Sequence, residues 1–515
     1  MIPTTRSSKL ASEHADAGQG SGGADPDTHI VSLDVGTSSV RTLLFDGRAR
    51  QRLKFGSQRP YRVTTTPDGG VEVDADELLR LSIECLSELH AQMREARYRA
   101  AAVSFCAFWH SFLGIDAGGR PTTPIIHLFD TRSAGHARRL ASEIDERENH
   151  ARTGCVLHTS YWPAKLLWLA ENRPEAVAAT RHWVSFGEYL YLKLFGRART
   201  STSMVSGSGI WNPNLGDYDR EILKHLPVEL SQLAPVDEMD EPVSGLLPEF
   251  AGMWPAFAQI RWYPALGDGA CNNIGSGCIT PDRFSLMVGT SGAMRAVIEA
   301  DRVEIPPGLW CYRVDRRRFV LGGALSNGGE VYAWMKRTLA LPPAEEVEAR
   351  LAGMEPGAHG LTILPLFAGE RSPYWNADAR AAFTGMSMHT APMDILRAAL
   401  ESVALRFRQV YLILKDRIGE PAEVVASGGA LLNSPAWTQM MADATGHPVV
   451  TCCEQEASSR GAALLALERL GAISHIRDLP AETGRVFTPV AAHQAVYDEM
   501  LLRQMRLYTK LFEEA

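Results

Sequence analysis

A glycine and three hydroxyl side chains follow the first apolar run of the chain. Residues 33–41 read LDVGTSSVR, and the hydroxyls belong to Thr37, Ser38 and Ser39. A turn needs only the glycine, whereas hydroxyls beside backbone N–H groups form a donor cluster that suits phosphate. Asp34 would repel a phosphate unless a divalent cation or its bound water lay between them. The alternative is that Asp34 accepts hydrogen bonds from turn amides and caps the loop.

A second chemical motif places an aspartate between two glycines. Residues 265–278 read ALGDGACNNIGSGC, and the aspartate is Asp268. Because the two glycines have no side chains, Asp268 can lie close to a ligand. A general base for a hydroxyl requires an exposed carboxylate within hydrogen-bond distance of the proton that it removes. The alternative is an Asx turn without a chemical role.

A third motif, residues 424–450, reads VVASGGALLNSPAWTQMMADATGHPVV. A strand ends at Gly428 and Gly429, and an amphipathic helix capped near Asn433 or Ser434 follows. Paired glycines let a flat ring approach the backbone, so the motif predicts either an adenine slot or a plain βα turn. The chain contains neither GxxxxGK[ST] nor GxGxxG, and a nucleotide must therefore be held in another way.

Aromatic and polar side chains at strand ends suggest a polyol site. The stretches CAFWHSFLGID, IIHLFDTRS and HTSYWPAKLLWL contain Trp109, His110, Asp130, Arg132, Tyr161, Trp162 and Lys165. Rings can cover the C–H faces of a polyol while polar tips bind its hydroxyls. A lone histidine at a strand end is more often structural. Residues 367–386 are rich in Gly, Pro and charge, which predicts an ordered loop with a role.

The elements that position these motifs repeat along the chain. From Ile30, three apolar runs predict a strand meander, followed by a helix over residues 74–99 and the buried strand AAVSFC. Strand, helix, strand indicates an α/β layer architecture. LDVGTSS and LMVGTSG recur about 250 residues apart, which predicts two domains that each present a polar turn to a shared cleft. The alternative is chance recurrence of a common turn.

Length and composition narrow the class of protein. A chain of 515 residues predicts two or three domains. We expect a disordered tail over 1–28, a first domain over 29–262 and a second over 263–515. The net charge of −8 and the lack of a basic run argue against binding to nucleic acid. The sequence contains no stretch of eighteen apolar residues, so no membrane span is predicted. Eight scattered cysteines without CxxC spacing favour a reducing cytoplasm.

Five motifs in order resemble the FGGY family of carbohydrate kinases: LDVGTSSVR, GDGACNNIGSG, MVGTSGAMR, LPLFAGERSPYWNADARAAFTG and ASGGALLNSPAWTQMMADATGHPV. The resemblance extends from about Ile30 to about Leu470. It implies an α/β fold of two actin-like (ribonuclease H-like) ATPase domains that close over ATP, with Mg²⁺ as the second cofactor. It agrees with the repeated turn described above.

The resemblance also implies roles for individual residues. Asp268 would be the base that deprotonates the attacking sugar hydroxyl, and Asp34 would organise Mg²⁺ through water. The ATP-binding residues would be Thr37, Ser38, Ser39, Arg41, Gly289, Thr290, Gly328, Gly429, Ala430 and Asn433. Trp109, His110 and Asp130 would line the substrate pocket with Asp268.

The sugar is predicted less directly than the reaction. Relatives that phosphorylate ketopentoses or glycerol usually carry an amide side chain after the catalytic aspartate, whereas this chain has Gly269. The motifs look most like the gluconate kinase branch, and a sugar acid would give Arg132, Lys165 or His110 a carboxylate to pair with. The alternatives are xylulose, ribulose or an alditol as substrate.

Other functional classes share the actin-like fold, so ATP binding alone does not establish phosphorylation of a sugar. A chaperone would need a β-rich peptide-binding domain, and only a short helical tail follows Gly471. A catalytically silent protein that binds sugar and ATP is a further alternative. The terminal helix either docks on the core, which is favoured, or forms the surface of a homodimer.

Overall fold

Among the described residues, most strands belong to two large mixed β-sheets, and the others form four small sheets of two or three strands. The computed structural model describes residues 25 and 27–513. Its strands are β1 (Ile30–Val35), β2 (Ser39–Phe45), β3 (Gln51–Pro60), β4 (Thr64–Thr65), β5 (Val71–Val73), β6 (Ala102–Ala107), β7 (Leu113–Ile115), β8 (Ile125–Ile126), β9 (His182–Val184), β10 (Trp211–Asn212), β11 (Asp217–Tyr218), β12 (Arg261–Trp262), β13 (Leu266–Gly267), β14 (Arg283–Val288), β15 (Gly292–Glu299), β16 (Trp310–Arg313), β17 (Arg318–Leu325), β18 (Thr362–Leu364), β19 (Ala382–Thr384), β20 (Glu423–Ser427), β21 (Val449–Cys452) and β22 (Thr483–Phe487).

Helices cover the sheets and connect their strands. They are α1 (Ala75–Glu95), α2 (Ala134–Glu143), α3 (Glu146–Thr153), α4 (Trp162–Asn172), α5 (Pro174–Ala179), α6 (Phe186–Phe195), α7 (Thr202–Ser206), α8 (Arg220–Leu223), α9 (Pro248–Met253), α10 (Asp268–Gly275), α11 (Gly329–Thr338), α12 (Ala344–Gly353), α13 (Pro392–Ile418), α14 (Gly429–Leu432), α15 (Pro435–Thr445), α16 (Ala457–Leu470) and α17 (Gln494–Phe512).

The first sheet has the strand order β12-β6-β1-β2-β3, and β13 also pairs with β6. The pairs β1–β2 and β2–β3 are antiparallel, whereas β6 runs parallel to β1. The predicted meander is therefore confirmed. The predicted helix is also confirmed: it begins after Asp74, whose carboxylate accepts hydrogen bonds from the N–H groups of Asp76 and Glu77.

The second sheet repeats this topology. Its order is β16-β17-β15-β14-β20-β21-β22, in which β17-β15-β14-β20-β21 corresponds to β3-β2-β1-β6-β12. In both sheets the first two strands form a hairpin, and the next strands join in parallel. Each V-G-T-S motif forms the turn of its hairpin. The prediction of two actin-like domains is thereby confirmed, and the recurrence of the motif is structural.

The two halves of the chain interlock beside the first sheet. Helix α16, from the second half, packs against α10 and belongs to the same hydrophobic core as β1 and β6. Glycine allows this approach, because a Cβ on Gly275 would lie 1.7 Å from the Ala457 carbonyl oxygen. Strand β13 still pairs with the first sheet beyond residue 262. The predicted domain boundary after that residue stays a prediction.

The terminal helix α17 docks on the second core. Its buried residues include Tyr497, Met500 and Leu501, and the Gln504 amide donates hydrogen bonds to the carbonyl oxygens of Ile363 and Ser402. A homodimer remains an untested prediction. Most of the predicted tail over residues 1–28 lies outside the described residues. Within the part of the chain that the structure covers, no helix is long and apolar enough to cross a membrane.

Candidate active site

A cavity of about 600 Å³ lies where residues of the two sheets meet. It contains the second chemical motif of the sequence together with residues from both V-G-T-S turns. The residues most relevant to its chemistry are Thr37, Trp109, His110, Asp268, Thr290 and Arg295. The cavity therefore brings the candidate base, aromatic side chains and residues of the two V-G-T-S turns into one space.

Asp268 is the first residue of α10, directly after β13. Strand register places Leu266 and Asp34 on either side of Cys106, so Asp34 and Asp268 lie near the same edge of the sheet. The Asp268 carboxylate accepts a hydrogen bond from the Gly269 N–H at 2.7 Å. Removal from water raises the pKa of Asp268 to about 6, because burial outweighs the opposing charge of Arg295.

Aromatic rings form one wall of the cavity. Trp310 and Tyr312 stack with ring centroids 4.3 Å apart, and Trp109 meets Tyr312 edge-on at 5.0 Å. Trp109 is held by a hydrogen bond from its indole N–H to the Ser203 carbonyl oxygen. Such rings can cover the C–H faces of a polyol. Of the aromatic residues named from the sequence, Trp109 lines the cavity, where it is joined by Trp310 and Tyr312 from the second half of the chain.

His110 lies beside these rings in a left-handed backbone conformation, with φ of 69°. Its Nδ1 is 2.6 Å from the Gly207 carbonyl oxygen, which fixes Nδ1 as the protonated ring nitrogen. Burial lowers the pKa of His110 to about 3. The ring is therefore neutral, and Nε2 is the nitrogen left as an acceptor.

The structure does not bring Asp130 to the cavity. The Asp130 carboxylate is buried, accepts hydrogen bonds from Arg132 and also accepts one from the Val71 N–H. Arg132 also pairs with Glu72 at 2.6 Å. Lys165 donates to the His127 carbonyl oxygen at 2.7 Å. The cations predicted to bind a sugar carboxylate, Arg132 and Lys165, are thus held by the protein itself.

The first V-G-T-S turn divides its predicted residues into two groups. Thr37 and Ser38 are exposed, and Thr37 lines the cavity. Ser39 is buried and accepts a hydrogen bond from the Gln58 amide at 3.1 Å. Arg41 donates to Glu456 at 2.6 Å, and its Nε lies 3.6 Å from Asp34. The turn leaves the hydroxyls of Thr37 and Ser38 exposed and uses Ser39 and Arg41 in internal contacts.

The second V-G-T-S turn contacts the glycine-rich loops of the second sheet. Gly289 and Thr290 line the cavity, and the Gly328 N–H donates to the Thr290 carbonyl oxygen. A Cβ on Gly329 would lie 3.1 Å from the Cβ of Ala430. The residues after β20 that were predicted to bind the nucleotide thus lie next to this turn. Two of them, Gly429 and Asn433, are exposed.

Two family models match the chain along most of its length. The FGGY family of carbohydrate kinases, N-terminal domain, matches residues 29–275, and the C-terminal domain of the same family matches residues 285–468. The chain belongs to the FGGY family of carbohydrate kinases. It is a phosphotransferase that uses ATP and acts on an alcohol group of a small sugar-type substrate.

Individual relatives of this FGGY kinase have different named substrates. It is 28% identical to a gluconokinase of Bacillus subtilis over 90% of this chain and 92% of that protein. It is 23% identical to a xylulose kinase of the same organism, over 93% of this chain and 97% of that protein. The structure of a gluconate kinase from Lactobacillus acidophilus superposes with a TM-score of 0.87 at 25% identity, covering 94% of this chain and 98% of that chain.

The donor set of this FGGY kinase fits a hydrated divalent cation. Asp34 and Asp268 are close enough that the charge of Asp34 helps to raise the pKa of Asp268. A cation between phosphate oxygens and these carboxylates would offset that repulsion. Among the described residues, no group of three or more His, Cys, Asp or Glu side chains could hold a metal. A magnesium ion would therefore depend mainly on phosphate and water ligands.

Several residues that line the cavity of this FGGY kinase were not predicted from the sequence, among them Trp310, Tyr312, Arg295 and Arg371. Trp310 and Tyr312 alternate along β16, and a period of two places them on one face. Arg295 is a charged residue within the apolar strand β15, which is an unusual position. Arg371 belongs to the loop 367–386 that was predicted to have a role. The clearest of these signals is the charge of Arg295 within an apolar strand.

Proposed function

We propose that this FGGY kinase transfers the γ-phosphate of ATP to a hydroxyl of gluconate and that Asp268 is its general base. The observation that carries the proposal is that Asp268 lines one cavity together with the aromatic wall and the turn residues Thr37 and Thr290. The similarity to gluconokinases supports gluconate as the sugar. Xylulose, ribulose and alditols are alternative substrates, and a non-catalytic binding protein is the alternative function.

In this mechanism the residues of the chain position the reactants and receive one proton. The substrate lies against Trp109 and His110, with the reacting hydroxyl at Asp268. Asp268 accepts the proton as the oxygen–phosphorus bond forms, and the bond from the γ-phosphorus to the bridging oxygen of ADP breaks. Backbone amides of the two turns offset charge on the transferred phosphoryl group.

The remaining predicted residues have proposed positions around ATP. Thr37, Ser38, Gly289 and Thr290 would contact the phosphates, and Gly328, Gly429, Ala430 and Asn433 would hold the nucleotide. Asp34 would bind a water of hydrated Mg²⁺, an ion that supplies charge neutralisation between the phosphates when it is bound. Ser39 and Arg41 would stabilise the first turn and Asp34 without contacting ATP directly, because their side chains already have protein partners.

The direct test is release of ADP with Mg²⁺–ATP across gluconate, xylulose, ribulose, glycerol and several alditols. We expect gluconate to give the highest kcat/KM. If only a neutral sugar is turned over, that sugar is the substrate instead of gluconate, and the assignment of Asp268 as the base is retained. If no substrate raises ADP release above the rate without sugar, the proposal is wrong and the binding-protein alternative is favoured.

The pH dependence of catalysis is a second expectation of this proposal. Because burial raises the pKa of Asp268 to about 6, kcat/KM for gluconate should be constant above pH 7 and fall about tenfold per unit well below pH 6. The cavity histidines His110 and His127 both have pKa values lowered to about 3 by burial. Neither one titrates in this window.

A profile measured from pH 5 to 8 with saturating Mg²⁺–ATP checks this expectation. Replacing Asp34 with Asn should move the midpoint to lower pH, because the charge of Asp34 raises the pKa of Asp268. A rate independent of pH between 5 and 7 would contradict Asp268 as the base.

A further inference from the structure

Arg295 lies in the cavity without the acidic partner that buried arginines of this chain usually have. It is 8% exposed, and its Nε and Nη1 are buried without a hydrogen-bond partner among the described residues. By contrast, buried Arg318 pairs with Asp315 and Glu468, and buried Arg397 pairs with Glu401. A buried cation without such a partner is costly. Because Nε and Nη1 have no partner among the described residues and Arg295 lines the cavity, we expect the guanidinium to bind a ligand there.

The surrounding backbone makes room for this guanidinium. On β17, which pairs with β15, a Cβ on Gly322 would lie 2.9 Å from Cγ of Arg295. At the other end of the side chain, a Cβ on Gly269 would lie 3.4 Å from Nη2 of Arg295 and 2.8 Å from the Trp109 ring. A larger side chain after Asp268 would displace the guanidinium or the indole. The two glycines thus form a slot that places the cation beside the candidate base.

A second cation lines the same cavity. Arg371 has a buried Nε without a hydrogen-bond partner in the part of the chain that the structure describes. The charge of Arg371 contributes to lowering the pKa of Arg295 to about 10, although burial contributes more. His110 and His127 are neutral, so Asp268 is the anionic side chain that lines this cavity. Two guanidinium groups against one carboxylate leave an excess of positive charge.

We infer that Arg295, assisted by Arg371, binds the carboxylate of an aldonate substrate and is the residue that selects sugar acids over neutral polyols. The inference rests on the proposed phosphotransfer function. The guanidinium lies beside Gly269 and Trp109, on the sugar side of Asp268, and can donate two parallel hydrogen bonds to a carboxylate. A linear sugar acid could then place a hydroxyl at Asp268 while its anionic end is held by Arg295.

The test compares gluconate with gluconamide, which differs in charge at the end of the chain and keeps its hydroxyls. We expect the wild-type protein to prefer the acid. Arg295→Gln should lower kcat/KM for gluconate roughly 30-fold, the loss expected for a hydrogen bond to a charged group. The value for gluconamide should change less than about threefold, and KM for ATP should not change. Arg371→Gln should lower the acid-to-amide ratio in the same direction.

Arg313→Gln is the matched control. Arg313 is a buried arginine on β16, which β17 separates from β15, and its guanidinium donates to the carbonyl oxygens of Pro213 and Arg316. The acid-to-amide ratio should stay at the wild-type value in this variant. Thermal unfolding without substrate provides a second readout: Arg295→Gln should not lower Tm, because it removes a buried cation that forms no salt bridge among the described residues and for which burial outweighs the attraction of Asp268. The same variant should abolish the rise in Tm caused by gluconate.

The outcomes separate this inference from the proposed function. Equal losses with gluconate and gluconamide, or a raised KM for ATP, would assign Arg295 to the phosphate side and overturn the inference. An unchanged ratio in folded Arg295→Gln and Arg371→Gln would also overturn it. A wild-type protein that phosphorylates neither compound contradicts the gluconate proposal. In that case, binding can still be measured by the rise in Tm. If sugar acids raise Tm no more than the corresponding amides do, the inference is overturned as well.

Discussion

Asp268→Asn should reduce kcat with gluconate on the order of 10³-fold while KM for gluconate and ATP changes little. The amide keeps the size of the side chain and can still accept a hydrogen bond, but it cannot accept the proton of the attacking hydroxyl. A positioned base contributes roughly 10²- to 10⁴-fold in such reactions. Steady-state kinetics from coupled ADP release at pH 7.5 measures the loss.

Stability distinguishes a loss of chemistry from a loss of fold in this variant. Burial raises the pKa of Asp268 to about 6, so the folded state favours the protonated carboxyl more than the unfolded state does. Above pH 6 the ionised carboxylate therefore costs stability, and Asp268→Asn should have a Tm at or above that of the wild type. Asp116→Asn, in a turn whose residues do not line the cavity, is the matched control and should keep full activity. More than a tenth of wild-type kcat in Asp268→Asn would remove Asp268 from the role of base.

Gly267→Ala should lower kcat/KM on the order of 100-fold or more and also lower Tm. A Cβ at this position would lie 1.8 Å from Cε2 of Trp109, so the indole must leave its place. Trp109 forms part of the aromatic wall next to Asp268, and a displacement of about 1 Å near reacting groups can cost about 10²-fold in rate. Forcing extra volume into a packed site costs about 1–3 kcal/mol. Kinetics and thermal unfolding measure the two effects.

Two further variants test the cause of that loss. Gly252→Ala makes the same substitution in α9, where a Cβ would meet no atom within 4 Å, and it should retain wild-type activity and stability or gain slightly. Combining Gly267→Ala with Trp109→Phe should recover Tm, since the smaller ring vacates the contested space. Additive losses of stability in the double variant would show that contact with Trp109 is not the reason.

The sequence alone determined the sheets and the positions of the turns. Both hairpins follow from apolar runs interrupted at V-G-T-S, because strand patterning and glycine at a turn act over a few residues. The helix cap at Ser434 was also predictable, and its hydroxyl accepts a hydrogen bond from the Trp437 N–H. Asp268 stood out for the same local reason, since it lies between two glycines at the end of a strand.

Only the tertiary structure decided which polar side chains are available to a ligand. Asp130 and Lys165 were chemically suitable for a sugar site, yet residues near them in space engage their polar atoms. The sequence assigned no role to Arg295, although it is a buried cation that lines the cavity and whose Nε and Nη1 have no hydrogen-bond partner among the described residues. The sequence specifies each side chain, but its availability depends on partners from other segments, such as Val71 for Asp130 and His127 for Lys165, and those segments meet only in the folded chain.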